Sequence, residues 1–203
     1  MSRRLPIEEH ISHPWRIHEL TPDFAVEDVW ELDTPGGPGQ LDDLLSAMVN
    51  TDFPQGAPAI VRFLWDLRWR LGAILGWDKD GSGLGSRVRS LRERMPADLY
   101  DRPIRLAFDD RFTTMYHLDD EWAAELANRT VHTVMHLGWV PDGQGGYRGQ
   151  MAVLVKANGF FGRLYMAFIK PFRYTIIYPA LLGGLERRWR SAKPAADLAS
   201  GER

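Results

Sequence analysis

Two histidines, His132 and His136, stand four residues apart in "NRTVHTVMHLGWV", residues 128–140. On an α-helix this spacing would place both imidazoles on one face, as a metal-binding pair requires. Residues 129–140 alternate instead, and their valines and threonines favour a strand. In a strand, side chains four positions apart share a face but lie about 13 Å apart, at about 3.3 Å per residue. One metal ion cannot bridge them, so we predict no metal site. The remaining alternatives are hydrogen-bonded or solvated histidines and histidines that line a cavity.

A single carboxylate interrupts the first strand-like run. Residues 24–32, "FAVEDVWEL", alternate as a strand does, and Asp28 falls on their apolar side. Burying a carboxylate is costly unless it is paired, and desolvation raises its pKa toward values useful for proton transfer. Two interpretations of Asp28 follow, a structural ion pair with an arginine or a proton-transfer group.

Aromatic residues supply further candidates for a binding site. Tyr116 and His117 take opposite faces of a strand predicted over residues 112–118, so only one of them can face a given cavity. If Tyr116 is the inward residue, its hydroxyl can orient a carbonyl group of a ligand. The C-terminal segment carries aromatic residues spaced mostly three or four apart, including Phe168 and Phe172. This spacing predicts core packing or, alternatively, the lining of a pocket.

The acidic run "LDDEWAAE" predicts a turn that faces solvent. Asp119, Asp120 and Glu121 are adjacent, and an oxygen-ligated cation would need more convergent ligands than this run shows. Glu125 lies on the same side of the following strand as Glu121. We therefore expect it to face water as well.

Composition restricts the class of protein. A chain of 203 residues with 44% hydrophobic and 26% charged residues fits one globular domain. The formal charge of -2 argues against nucleic acid as the main partner. The absence of cysteine excludes disulfides and thiolate nucleophiles and fits a reducing compartment. The N-terminus lacks an apolar signal core, and Lys170 and Arg173 interrupt the C-terminal apolar segment, so we expect a cytoplasmic protein without a transmembrane span.

The order of predicted elements is that of an α+β domain. The strand at 24–32 ends at the turn "TPGGPG" and precedes two helices, and "VPDGQGGYRG" joins the last two strands as antiparallel neighbours. "GSGLGS" lacks the GxGxxG spacing of dinucleotide sites, which favours a plain loop and no nucleotide cofactor. The predicted helices span residues 41–49 and 58–75, the later strands span 112–118, 121–128, 129–140 and 147–156, and a helical segment interrupted by Pro171 and Pro179 covers 160–189.

Several long strings resemble a known family. "DVWELDTPGGP", "LRWRLGAILGWD", the run from "LDDEWAAELANRTVHTVMHLGWV" to "FIKPFRY", and "YPALL" are similar to a bacterial family of unknown function in the SRPBCC superfamily. That superfamily includes START-like lipid carriers and polyketide cyclases. The resemblance covers about residues 14–190 and implies a helix-grip fold, a curved antiparallel sheet around a long C-terminal helical segment. Some relatives are fused to an NAD-dependent epimerase-like domain, which the resemblance implies as a partner. No catalytic residue can be carried over, and fold alone does not supply a function.

These observations lead to one principal hypothesis. Residues 14–190 form a single helix-grip domain that binds a hydrophobic small molecule between sheet and C-terminal helix, with an N-terminal extension at 1–13 and a disordered tail at 191–203. The candidate ligand-binding residues are Asp28, Tyr116, His132, His136, Phe168 and Phe172. One alternative is a cyclase-like or dehydratase-like enzyme that uses a histidine or aspartate as general base in the same cavity. Another is an interaction module or homodimer formed through the aromatic C-terminal segment.

Overall fold

The computed structural model describes residues 2–49, 84, 88–101, 112–128, 131–159, 167 and 170–192. The predicted helix at 58–75, Phe168 and all of the "GSGLGS" loop except Leu84 lie outside these residues. The described strands are β1 (Arg3–Leu5), β2 (Ala25–Glu31), β3 (Thr113–His117), β4 (Glu121–Ala127), β5 (Val131–Pro141) and β6 (Tyr147–Ala157). The helices are α1 (Glu8–Ile11), α2 (Ile17–Leu20), α3 (Leu41–Val49), α4 (Ala97–Tyr100) and α5 (Tyr178–Ala192), with a 3-10 turn at Leu91–Arg94 and a π-helical turn at Arg173–Ile177.

The six strands form one antiparallel sheet in the order β1-β2-β6-β5-β4-β3. The predicted hairpin between the last two strands is confirmed, and β5 and β6 are the longest strands described, with 11 residues each. Its loop is closed by Asp142, whose Oδ1 accepts hydrogen bonds from the backbone N–H groups of Gln144 at 2.7 Å and Gly146 at 2.9 Å. Gly143 and Gly145 adopt φ of 80° and 94°, which only glycine does without strain. The α+β class predicted from the sequence is confirmed.

Each face of the sheet packs against a different part of the chain. We call one the N-terminal face, because residues of the N-terminal segment, with Leu91 and Leu99, cover it. The other is the C-terminal face, which packs against α3 and α5. Since side chains alternate along a strand, neighbouring residues of β4, β5 and β6 belong to opposite faces. The two faces therefore form two separate hydrophobic clusters.

A β-bulge in β2 changes which side chains share a face. The pairing of β2 with β6 shifts register between Val26 and Asp28. An inserted residue reverses the alternation, so Phe24 and Val26 pack with the N-terminal cluster whereas Trp30 lies in the C-terminal one. The prediction that Phe24, Val26, Trp30 and Leu32 form one face is wrong for this reason.

The C-terminal segment is helical from Lys170 to Ala192, with a π-helical turn immediately before Tyr178. Pro179 lacks a backbone N–H and its ring crowds the preceding turn, and a wider π-helical turn accommodates both effects. The helix extends two residues past Arg190, where we predicted the tail to begin. Among the described residues no helix is long and apolar enough to cross a membrane.

Candidate functional site

A chain of buried polar groups crosses the N-terminal face. The hydroxyl of Tyr116 donates to Oε1 of Glu121 at 2.5 Å. Nε2 of His136 lies 3.1 Å from the same oxygen, and Nδ1 of His136 lies 3.1 Å from Nε2 of His10. All four side chains are buried. The chain joins strands β3, β4 and β5 to helix α1.

Glu121 also fixes the start of helix α2. Its Oε2 accepts the backbone N–H of Arg16 at 2.9 Å, and its Oε1 accepts that of Ile17 at 2.9 Å. The first N–H groups of a helix have no intrahelical partner, and a carboxylate at that end satisfies them and matches the helix dipole. Burial would raise the pKa of Glu121, but hydrogen bonds from His136, Tyr116 and the backbone of Arg16 outweigh burial and lower it. Glu121 is therefore an ionised acceptor.

The protonation of His10 follows from its surroundings. Burial, and then the neighbouring imidazoles of His136, His18 and His13, lower the pKa of His10 to about 2, so its ring is neutral. Nδ1 of His10 is buried and has no hydrogen-bond partner among the described residues. An unpaired acceptor is tolerated better than an unpaired N–H, so we infer that Nε2 of His10 carries the proton. His10 then donates to His136, and His136 donates to Glu121.

A second glutamate–histidine pair repeats this geometry further along the same strands. Nε2 of His132 lies 2.8 Å from Oε2 of Glu125. Glu125 also accepts the hydroxyl of Ser90 and, at 3.0 Å, the backbone N–H of Leu91. Burial by itself would raise the pKa of Glu125. The hydrogen bonds from His132, Leu91 and Ser90 outweigh burial, and the pKa is lowered.

The strand register explains why the pair occurs twice. Glu121 lies opposite Gly138 and Glu125 lies opposite Val134, so each glutamate faces diagonally the histidine two residues earlier on β5. Diagonal neighbours on one sheet face are within reach of long side chains. Because the two glutamates and the two histidines are each four residues apart, the same diagonal contact recurs. Glu121 attaches the start of α2 to the sheet, and Glu125 attaches the 3-10 turn.

Trp15 fits against the sheet where a glycine leaves space. A Cβ at Gly138 would lie 2.4 Å from Cη2 of Trp15. The indole ring lies 5.0 Å from the ring of His136 and is buried. Gly138 therefore allows Trp15 to cover the histidine chain.

A different polar cluster lies on the C-terminal face. Nη2 of Arg173 donates to Oδ2 of Asp28 at 2.5 Å and to the hydroxyl of Tyr178. The hydroxyl of Tyr178 donates to Oδ2 of Asp28 at 2.9 Å. Burial raises the pKa of Tyr178 well above its usual value, so the phenol stays protonated. Burial and the carboxylate of Asp28 raise the pKa of Tyr174, a neighbouring ring in the π-helical turn, to about 12.

The two faces differ in how completely their central residues are buried. On the N-terminal face Val134 and Ala152 are 0% exposed and Leu154 is 1% exposed. On the C-terminal face Met135 and Val153, which are cross-strand partners in the middle of the sheet, each keep 8% exposure. Trp30, beside Asp28, also keeps 8%. The residual exposure thus lies next to the Asp28–Arg173–Tyr178 cluster.

Comparison with known proteins identifies the family. Residues 20–180 match the family described as proteins of unknown function, DUF2867. The chain belongs to this family. Comparison with curated proteins and with solved structures gives no match. The DUF2867 region includes both glutamate–histidine pairs and the Asp28–Arg173–Tyr178 cluster, whereas His10 and Trp15 precede it.

In this DUF2867 protein the predicted ligand-binding residues do not share one face. Tyr116, His132 and His136 lie on the N-terminal face, and Asp28 lies on the C-terminal face. Phe172 is half-buried beside the π-helical turn. One cavity between the sheet and α5 therefore cannot receive polar contacts from all of them, because the sheet separates the histidines from that side.

Three expectations for polar residues can be compared directly with the structure. Asp28 forms the predicted ion pair with an arginine. Tyr116 and His117 do take opposite faces, and His117 pairs with Asp42 of α3 at 2.6 Å. The prediction that Glu121 and Glu125 face water is wrong, because both are buried. The signal that the sequence offered was the matched spacing of four in "EWAAE" and "HTVMH" on successive strands.

We also searched the described residues of this DUF2867 protein for metal sites and for grooves. No group of three or more histidine, aspartate or glutamate side chains among the described residues is arranged to hold a metal ion. A groove of about 460 Å³ lies between α3 and α5, lined in part by Ser46, Ala47, Arg188 and Trp189. None of the predicted ligand-binding residues that the structure describes is among those that line it.

Proposed function

We propose that this DUF2867 protein is a small-molecule-binding domain of the helix-grip type, which receives an apolar ligand between the C-terminal face and the C-terminal helical segment. The pairing of β2 with β6, the last strand among the described residues, supports a helix-grip arrangement, as does the packing of α5 on that face. Ligand pockets in proteins are mostly apolar with a few polar groups that fix orientation. The C-terminal face has that composition.

The observation that carries the proposal is the residual exposure in the middle of this face. Central residues of a sheet that is covered on both sides are normally excluded from water, as Val134 and Ala152 are. Met135, Val153 and Trp30 are also buried, but each keeps 8% exposure near the polar cluster, whereas Leu137 and Met151 further along the same face are 0% and 1% exposed. An apolar ligand that covered this surface would gain about 25 cal/mol for each Å² removed from water.

The experiment is a fluorescence titration with N-phenyl-1-naphthylamine, a neutral apolar probe whose emission rises in a dry site. We expect saturable binding to the unmodified protein. Val153→Phe should fill the site and abolish the increase, whereas Val49→Phe, at an exposed position of α3, should leave it unchanged. Urea unfolding of both variants verifies that they are folded. Absence of saturable binding, or equal binding by Val153→Phe, would show that the C-terminal face is not a binding site.

An enzyme of the cyclase or dehydratase kind is a less supported alternative. The histidines that would serve as general base, His132 and His136, lie on the other face and are bonded to glutamates. Asp28 remains on the proposed binding side, but Arg173 and Tyr178 both donate to its Oδ2. A substrate proton would therefore have to compete with two donors for that oxygen. Binding without turnover therefore fits the geometry better.

A further inference from the structure

We propose that the ligand of this site is a neutral carbonyl compound, a ketone, ester or amide, whose oxygen accepts a hydrogen bond from Arg173. The inference rests on the proposed binding function and specifies its chemistry. It depends on which donors of Arg173 are already used, which atoms near them are unpaired, and the charge of the cluster.

Arg173 has donors without a partner among the described residues. A guanidinium group carries five N–H donors. Nη2 donates to Oδ2 of Asp28 and to the hydroxyl of Tyr178, which accounts for both of its N–H bonds. Nε and Nη1 have no hydrogen-bond partner within the part of the chain that the structure describes. The side chain of Arg173 is 12% exposed, and its partner Tyr178 packs against Trp30, with 5.0 Å between the two ring centroids.

The free donors suit a single acceptor oxygen better than a carboxylate. A carboxylate binds arginine through two parallel N–H bonds on one edge of the guanidinium. Both such edges include Nη2, which Asp28 and Tyr178 already occupy. Nε and Nη1 remain on different edges, and each can serve one carbonyl oxygen. The geometry of Arg173 therefore favours a monodentate acceptor.

The charge of the cluster favours a neutral ligand. Asp28 already neutralises Arg173, and the phenol of Tyr178 is protonated. Oδ1 of Asp28 is buried without a hydrogen-bond partner among the described residues. A second carboxylate nearby would meet like charge in a poorly solvated site. A carbonyl group needs only the donor and brings no charge of its own.

Three matched probes test the assignment by isothermal titration calorimetry: 2-acetylnaphthalene, 2-ethylnaphthalene and 2-naphthoate. They share the ring system and differ in offering a carbonyl, no polar atom or a carboxylate. Because hydrogen bonds to charged donors are strong, we expect the ketone to bind about tenfold more tightly than the hydrocarbon. We also expect it to bind more tightly than the carboxylate.

A double variant tests the role of Arg173 without leaving a buried charge unpaired. Asp28→Asn with Arg173→Met removes both charges and the free donors, and the preference for the ketone over the hydrocarbon should disappear. The matched control is Asp23→Asn with Arg94→Met, which removes an exposed ion pair and should retain the preference. A second readout needs no variant: the infrared C=O stretch of bound 2-acetylnaphthalene should move to lower frequency than in an apolar solvent.

Each outcome decides between the binding function and the carbonyl assignment. If the ketone and the hydrocarbon bind equally and the C=O stretch is unshifted, the site binds apolar molecules but the role of Arg173 is wrong. If the naphthoate binds most tightly, the ligand is an anion and the neutral assignment is wrong. If none of the probes binds, the proposed binding function fails together with the assignment.

Discussion

The N-terminal and C-terminal faces of the sheet both contain buried charges, but they satisfy them differently. On the N-terminal face Glu121 accepts four hydrogen bonds, two of them from the backbone of α2. On the C-terminal face Arg173 and Asp28 pair with each other and with Tyr178, and Nε and Nη1 of Arg173 have no partner in the part of the chain that the structure describes. The first arrangement fixes a segment of the chain to the sheet. The second leaves hydrogen-bonding capacity beside surface that is not fully covered.

The contrast shows that a buried histidine beside a carboxylate is a weak sign of a reactive site. Such pairs often activate a catalytic base, and the described residues contain two glutamate–histidine pairs, both on the N-terminal face. His136, however, meets His10 at its second nitrogen, and the carboxylates of Glu121 and Glu125 cap backbone N–H groups. The donors of Arg173 that have no partner among the described residues lie on the other face, where we propose the binding site.

The largest expected effect is the loss of the Glu121 carboxylate. Glu121→Gln keeps one acceptor oxygen but turns an amide N–H₂ toward groups that donate, so buried donors lose their partner. We expect the free energy of unfolding to fall by about 3 kcal/mol. Urea unfolding measures the change, and hydrogen exchange should show the amides of Arg16 and Ile17 less protected. Glu9→Gln, at an exposed position of α1, is the control and should have little effect; equal stability of the two variants would disprove the capping role.

Enlarging the glycine beneath Trp15 should have the next largest effect. Gly138→Ala places a methyl group where the indole ring now lies, and overpacking of this kind costs about 1–3 kcal/mol. Displacement of Trp15 should also move its fluorescence emission to longer wavelength. Gly37→Ala, where a Cβ meets no atom within 4 Å, is the matched control. An unshifted emission spectrum and unchanged stability would contradict the proposed packing.

Acid should weaken the N-terminal face through His10. The pKa of His10 in the folded protein is about 2, below its ordinary value of 6.5, so the unfolded chain takes up a proton that the folded protein does not, and stability falls as pH drops below 6.5. Between neutral pH and pH 5.5 the loss from this group should be about 1.4 kcal/mol. His136, His18 and His13 surround the ring, so the test compares the protein with His10→Gln, which keeps a donor but does not titrate. If both lose the same stability over this pH range, His10 is not the responsible group.

The smallest expected effect comes from a pair of matched substitutions, one on each face of the sheet. Val134→Ile adds a methyl group to a side chain that is 0% exposed, and we expect a loss of about 1 kcal/mol. Val153→Ile adds the same group to a side chain that keeps 8% exposure, and if the proposed site is there we expect unchanged or slightly higher stability. Thermal unfolding of both variants measures the difference. Equal destabilisation would mean that the two faces are packed alike, which would remove the main support for the binding site.

Much of the sheet could be predicted from the sequence because it depends on local patterns. Alternation placed strands β2 to β6 within about two residues of their observed bounds, and the turn residues between β5 and β6 predicted the hairpin. The bulge between Val26 and Asp28 was not predicted, because an inserted residue leaves no compositional trace in a short strand. For the same reason the faces of Phe24 and Val26 were assigned incorrectly.

The candidate site was predictable only in part. The interrupted alternation at Asp28 correctly suggested a buried carboxylate paired with an arginine. The sequence did not indicate which arginine this would be, because Arg173 lies 145 positions later in the chain. His10 drew no prediction, since nothing in "EEHISH" indicates that α1 packs on the sheet. Glu121 was assigned to solvent because three adjacent acids usually mark an exposed turn.

The sequence by itself determined the strands, the α+β class and the pairing of His132 and His136 on one face, because side-chain alternation is a property of the local backbone. Only the tertiary structure decided which face each polar residue would occupy and what would cover it. Strand register brought each histidine diagonally to a glutamate, and the packing of the N-terminal segment closed that face. The pairing of Arg173 with Asp28 left open donors on the other face, because hydrogen bonds between distant segments depend on how those segments pack.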